Sequence, residues 1–127
     1  MPFDNPQAPG GDLEILLNAR AGISGKTSWV QGTYIDGDGR CLVAALSLAC
    51  GSSRFEAPNQ TERRLARLLA DQLPPEAPFW TRVRLLSARH RLMFFNDYHR
   101  TTNEDVLAVF DRAITHLAAR VSNYVAA

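Results

Sequence analysis

The sequence predicts an α+β domain that is mostly α, with about five helices packed around a small two-stranded β element. In several segments, apolar residues recur every three to four positions, which is the spacing of one helix face. The segment Trp29–Ile35 is instead rich in aromatic and β-branched residues, and it ends in Asp-Gly pairs that favour turns. A chain of 127 residues is long enough to bury one core without disulfides.

The chain divides into a short arm and one domain. Residues 1–11 contain three prolines and two consecutive glycines, which predicts a flexible N-terminal arm. Residues 12–127 are expected to form a single globular domain, because 46% apolar and 21% charged residues are usual for such proteins. The N-terminus has neither the basic start nor the apolar core of a signal peptide, and no apolar run reaches the length of a membrane span. We therefore expect no membrane association.

The two cysteines are predicted to be reduced. Cys41 and Cys50 lie nine positions apart in a segment, 40–50, that is predicted to be one helix ending before Gly51. Nine helical residues rise about 13 Å, whereas the Cα atoms of a disulfide lie within about 7 Å of each other. Unpaired thiols are typical of a cytoplasmic protein, so that location is expected.

The middle of the chain is predicted to hold two helices, after a first helix that Asp12 caps. Thr61 is expected to cap a helix with leucines along one face, and residues 79–90 have near-helical apolar spacing. The apolar run 91–95 has two interpretations: a buried strand that pairs with 29–35, or an extension of the preceding helix.

The last helix has the clearest start signal. Thr101 is followed three residues later by Glu104, which is the spacing of a capping box. Glu104 and Asp105 also favour the positive end of a helix dipole. A long apolar stripe from Val106 to Val125 follows, so we predict a long amphipathic helix.

Charge is unevenly distributed along a chain of formal net charge +1. Residues 54–100 contain nine arginines against five acidic residues, and two predicted helices carry most of these arginines. Arginine suits anionic partners better than lysine does, so we predict a binding face, with the solvated outer faces of two helices as the alternative. The candidate binding residues are Arg63, Arg64, Arg67, Arg82, Arg84, Arg89 and Arg91.

Several short motifs together resemble a known family. They are Trp29-Val-Gln-Gly, Asp38-Gly39, Cys41-Leu-Val-Ala-Ala-Leu, and Phe95-Asn96-Asp97 followed by the predicted long helix. This order is similar to that of the domain-of-unknown-function family six-one-nine-seven, a set of small uncharacterised bacterial and phage proteins. The resemblance implies an architecture and no activity. Asn96 and Asp97 are well suited to bond backbone amides and hold the turn before the last helix.

A catalytic interpretation centres on Cys41. The turn Asp38-Gly-Arg-Cys41-Leu is similar to the active-site turn of ovarian-tumour-type cysteine proteases, in which the cysteine begins a helix. That resemblance implies Cys41 as nucleophile, His99 as base and Asn96 or Asp97 as the orienting group. Gln31 or the amides of 39–41 would then bind the oxyanion. The alternative is that Cys41 packs in the core, as buried cysteines commonly do.

No cofactor or metal site is predicted. The histidines and cysteines lack the two-to-four-residue spacing of structural zinc ligands, and the Asp36–Gly39 turn lacks the glycine and glutamate of a calcium loop. We therefore predict a small non-enzymatic interaction or regulatory protein, such as a phage or mobile-element accessory factor. Its partner is expected to be another protein or a second copy, with nucleic acid less favoured. The alternative is a small papain-like cysteine hydrolase.

Overall fold

The computed structural model describes residues 9–52 and 57–126. Within these residues the chain forms five α-helices, one 3-10 turn and a two-stranded antiparallel hairpin, which confirms the predicted fold class. In chain order the elements are α1 (Pro9–Ala21), β1 (Ile35–Asp36), β2 (Gly39–Arg40), α2 (Leu42–Ala49), α3 (Gln60–Ala70), the 3-10 turn (Phe79–Arg82), α4 (Ala88–Asp97) and α5 (Asn103–Ala126).

The first helix begins earlier than predicted. Pro9 starts α1, so residues 9–11 of the predicted arm are helical, and residues 1–8 lie outside the described part. Proline is well tolerated at the first helical position, because the N–H that it lacks would have no partner there. Asp12 lies in the first turn, where it is buried.

The β element is smaller than expected and lies elsewhere. β1 and β2 pair antiparallel, with Ile35 opposite Arg40 and Asp36 opposite Gly39. Gly37 has a φ of 60° in the connecting turn, a conformation that glycine adopts without steric cost. Of the two interpretations of 91–95, the strand that pairs with 29–35 is wrong and the helical one agrees with the structure, because 91–95 belongs to α4.

The region 79–90 is not one helix. Phe79–Arg82 forms a 3-10 turn, Val83 is extended, and α4 starts only after Ser87. The Ser87 side chain accepts the backbone N–H of His90 at 3.1 Å, which caps α4. Leu85 is 98% exposed, so an apolar residue that contributed to the predicted helical pattern does not face the core.

Two helix caps differ from the predicted residues by one or two positions. Asn59, not Thr61, caps α3 by accepting the N–H of Glu62 at 2.8 Å. At α5 the reciprocal pair is Thr102 and Asp105, since each side chain accepts the other residue's backbone N–H. Thr101 is buried instead. The helix starts were therefore predicted closely, but the capping residues were not.

The core is built around α2. The five residues from Leu42 to Leu46 are all buried, because α1, α3 and α4 pack around this helix. Its alanines allow these helices to approach closely. The long helix α5 packs mainly against α1 and contributes Val106, Val109 and Phe110 to the same core.

Candidate functional site

A groove lies between α3 and the start of α4. Its volume is about 590 Å³. We call it the α3/α4 groove and define it by its lining residues. These are Pro58, Glu62, Arg63, Ala66, Arg67, Ser87, Ala88, Arg89, His90 and Met93.

A second groove of about 520 Å³ adjoins the first, since Arg67, Ser87 and Ala88 line both. Arg84 and Arg91 line this second groove as well. The structure therefore brings five of the seven predicted binding arginines to two adjoining grooves. The five are Arg63, Arg67, Arg84, Arg89 and Arg91.

The other two arginines lie outside these grooves. Arg64 forms two hydrogen bonds to the buried carboxyl of Asp12, from Nε at 3.0 Å and from Nη2 at 2.9 Å. These bonds raise the pKa of the Arg64 guanidinium and join α3 to α1. Arg82 is exposed on the 3-10 turn and lines neither groove. Arg64 thus contributes to packing between helices, although the sequence pattern placed it with the binding face.

The grooves have a positive electrostatic environment. Arg63 and Arg67 are exposed, and neither forms an ion pair with a carboxyl group in the described ranges. The N-terminus of α4 lies at the same place, and a helix N-terminus carries partial positive charge. Arg89 is half-buried, with its guanidinium carbon 5.9 Å from the centre of the Tyr34 ring. The residues that line the two grooves thus include five arginines and two acidic residues, Glu62 and Asp71.

One carboxyl group lies within the α3/α4 groove, and the sequence analysis missed it. Glu62 is only 2% exposed, and its Oε2 accepts the hydroxyl of Ser47 on α2 at 2.6 Å. Its Oε1 is buried and has no hydrogen-bond partner among the described residues. A signal was present: Glu62 precedes Leu65 by three positions and Leu69 by seven, so it falls on the apolar face of α3.

The motif residues meet in a different part of the molecule, around Asn96. Asn96 is fully buried near the end of α4. Its Oδ1 accepts the indole N–H of Trp29 at 2.7 Å and the backbone N–H of Leu42 at 3.0 Å. Its Nδ2 donates to the carbonyl of Val30 and to the carboxyl of Asp97, both at 3.0 Å. One side chain therefore joins α4 to Trp29 and Val30, which precede the hairpin, and to the first turn of α2.

Asp97 and Gln31 extend this network. Asp97 accepts the backbone N–H of Gly32 at 2.9 Å. Gln31 Nε2 donates to the carbonyls of Asn96, Tyr98 and Thr101 at 2.9, 2.8 and 3.2 Å, which holds the connection between α4 and α5. Asn96 and Asp97 do bond backbone amides as predicted, but those amides belong to distant segments and not to their own turn.

Cys41 is the N-cap of α2. It is 4% exposed, and its Sγ accepts the backbone N–H of Ala44 at 3.4 Å. Burial raises the pKa of the Cys41 thiol, the nearby Asp97 carboxyl raises it further, and hydrogen bonds from the amides of Ala44 and Val43 partly oppose this. The thiol form therefore dominates near neutral pH. Both cysteines are free, so the expectation of unpaired thiols is confirmed.

The residues of the catalytic interpretation do not all line one pocket. Cys41 and Asp97 line a small pocket of about 200 Å³, and His99 is not part of its lining. His99 is exposed, with its ring centre 4.7 Å from that of Tyr98. Three of the expected oxyanion donors already have partners: the Cys41 N–H donates to the carbonyl of Tyr34 at 3.0 Å, the Arg40 N–H donates to the carbonyl of Ser28 at 2.7 Å, and Gln31 donates to the carbonyls named above. A substrate oxygen would have to replace those partners.

Residues 9–52 and 57–126 contain neither a cluster of candidate metal ligands nor a helix that is suited to span a membrane. No three histidine, cysteine, aspartate or glutamate side chains there form a group that could hold a metal ion. None of the helices within 9–52 and 57–126 combines the length and apolar character needed to cross a bilayer.

The fold and the grooves define a small helical domain with two adjoining grooves that arginines line. The chain belongs to a family that is described as a family of unknown function (DUF6197), whose model matches residues 8–116. No curated protein and no solved structure matches the chain. The comparisons thus support the family resemblance, do not show the resemblance to ovarian-tumour-type proteases, and identify no activity.

Proposed function

We propose that the protein is a non-enzymatic binding domain that holds an acidic segment of another protein in the α3/α4 groove. The main support for this proposal is that arginines from two separate segments of the chain line one groove. Arg63 and Arg67 come from α3, and Arg89 comes from α4. Arginine binds carboxylates with a planar, two-pronged donor geometry, so such a rim favours aspartate and glutamate side chains.

The groove also offers apolar contacts. Ala66, Ala88 and Met93 line it beside the arginines. An interface that combines an apolar centre with a charged rim is typical of protein recognition. Methionine adapts its shape to a partner more readily than branched residues do, which suits a contact surface. A mixed acidic and apolar segment would therefore fit better than a uniformly charged polymer.

The cysteine hydrolase is supported less well. Cys41 is nearly inaccessible, burial favours its thiol form, and the Arg40 and Cys41 amides and the Gln31 side chain already have hydrogen-bond partners within the protein. A thiol nucleophile needs the thiolate and access to its substrate. A cytoplasmic regulatory role, in a phage or another mobile element, agrees with the unpaired cysteines and with the family resemblance, and forms part of the proposal.

The proposal is tested with labelled peptides and charge reversal. Fluorescence anisotropy would measure binding of an acidic peptide with interspersed leucines, first at low salt and then at about 0.3 M salt, where screening weakens exposed charge pairs. The double variant Arg63→Glu with Arg67→Glu is expected to bind at least tenfold more weakly. The matched control, Arg82→Glu with Arg100→Glu, makes the same charge change at exposed positions outside both grooves.

Equal losses in the two double variants would mean that net charge, and not the groove, attracts the peptide. Binding of a single-stranded oligonucleotide in preference to the peptide would favour nucleic acid as the partner. Concentration-dependent dimerisation that Arg63→Glu with Arg67→Glu abolishes would identify a second copy of the chain as the occupant. Each of these outcomes would contradict the proposal as stated.

A further inference from the structure

A buried carboxyl group, that of Glu62, is among the groups that line the α3/α4 groove. Its Oε1 is out of contact with solvent and has no hydrogen-bond partner in the described residues. Buried polar atoms in folded proteins are nearly always hydrogen-bonded, so an unsatisfied carboxyl oxygen needs an explanation. Ser47 already satisfies the other oxygen, which fixes the side chain against α2.

The neighbouring cations do not satisfy this oxygen. Arg63 and Arg67 follow Glu62 on the same helix, yet both are exposed at the edge of the groove. Among the less exposed lining residues, Ala66 has no side-chain donor, and the guanidinium of Arg89 lies over the Tyr34 ring. The α3/α4 groove is therefore lined by three arginines and by one carboxyl group whose buried Oε1 lacks a donor, so a donor from an occupant reaches that oxygen only when a neighbouring side chain moves.

We propose that Glu62 selects an occupant whose central side chain donates a hydrogen bond, through a hydroxyl, amide or ammonium group. This inference rests on the proposed function, because it assigns the chemistry of the acidic segment that the groove would hold. In an extended peptide, alternate side chains point to opposite sides. A donor side chain can therefore enter the groove while the acidic residues before and after it reach the arginines at the edge.

The geometry of the arginines agrees with this arrangement. Arg63 and Arg67 are one helical turn apart, and four residues of helix rise about 6 Å. Residues i and i+2 of an extended chain are separated by about 6.6 Å, which is nearly the same distance. The spacing thus fits a segment of acidic residue, donor residue and acidic residue, and because Glu62 directly precedes Arg63 on α3, the donor would lie nearer to Arg63 than to Arg67. Met93 also lines the groove, and its unbranched side chain can move to let the donor reach Glu62.

The test compares peptides that differ at one position. Labelled peptides of the form Leu-Gly-Glu-X-Glu-Gly-Leu, with X as serine, lysine, alanine or valine, would be titrated with the wild-type protein. The serine and lysine peptides are expected to bind about tenfold or more tightly than the alanine and valine peptides, as for a hydrogen bond to a charged group. This comparison needs no variant, so a folding defect cannot obscure it.

The variant Glu62→Gln then tests the assignment. An amide can turn its NH2 toward the groove while its oxygen accepts from Ser47, so the preference for a donor at X is expected to fall to about twofold or less. Circular dichroism would verify that the variant is folded. The control Glu14→Gln removes a carboxyl from an exposed position on α1 and is expected to keep the preference.

The outcomes separate this inference from the proposed function. If all four peptides bind equally well, and binding still depends on Arg63 and Arg67, the groove binds acidic segments but Glu62 does not select among them. If the preference for a donor persists in Glu62→Gln, another residue is responsible. If none of the peptides binds, both the proposed function and this inference are wrong.

Discussion

Replacing Asn96 with alanine removes the side chain that joins three separate segments, and its cost can be worked out bond by bond. The substitution leaves the Leu42 N–H without its acceptor at a fully buried position, which costs about 1–3 kcal/mol. Trp29 and Val30 are half-buried, so losing their bonds to Asn96 costs about 1 kcal/mol each. The expected decrease in the free energy of unfolding is about 4 kcal/mol, a large part of the usual 5–15 kcal/mol.

Urea denaturation followed by circular dichroism measures this loss, and the midpoint should fall without a change in slope. Asn103→Ala is a matched control, since Asn103 donates a single hydrogen bond, to the carbonyl of Ile23 at 3.0 Å. That control is expected to lose about 1 kcal/mol. If Asn96→Ala costs no more than Asn103→Ala, the network around Asn96 does not contribute to stability as argued. The energy would then lie in the apolar core alone.

Two further predictions concern the cysteines. At pH 7.5, Cys41 should react with iodoacetamide far more slowly in the native protein than in urea, because the thiol is buried and its pKa is raised. Fast alkylation of the native protein that His99→Ala abolishes would instead favour the hydrolase. Burial, with the Glu62 and Asp12 carboxyls, raises the pKa of Cys50 from 9.0 to about 12. Above pH 9 the unfolded chain therefore releases this proton first, so stability should fall between pH 9 and 12, and less steeply in Cys50→Ser. Equal slopes in the two proteins would contradict the assigned cause.

Local sequence signals predicted the helices better than they predicted which segments pair or pack together. The apolar period and the start signals located the first residues of α3 and α5 to within two positions, because helix formation depends on residues three and four apart. The run 91–95 was ambiguous, since a short apolar segment fits a strand or a helix equally well. The structure shows a helix here. Ser87 caps it, and Leu92 and Phe95, three positions apart, are both buried on one face.

The candidate site was predicted in part. An excess of arginine in the middle of the chain indicated a basic face, and five of the seven named arginines line adjoining grooves. The role of Arg64 could not be predicted, because its partner Asp12 lies 52 positions away on α1. Charge patterning along one helix shows which residues can interact locally, but it carries no information about which helix packs beside it.

The sequence by itself determined the class of fold, the positions of most helices, the unpaired cysteines and the segment in which positive charge accumulates. These properties follow from composition and from spacings of a few residues. Only the tertiary structure decided that Asn96 accepts the N–H of Leu42 at the start of α2, that Arg64 pairs with Asp12 on α1 and that Glu62 is a buried residue of the α3/α4 groove. Each of these depends on contacts between residues far apart in the chain, where the packing of helices sets the distance.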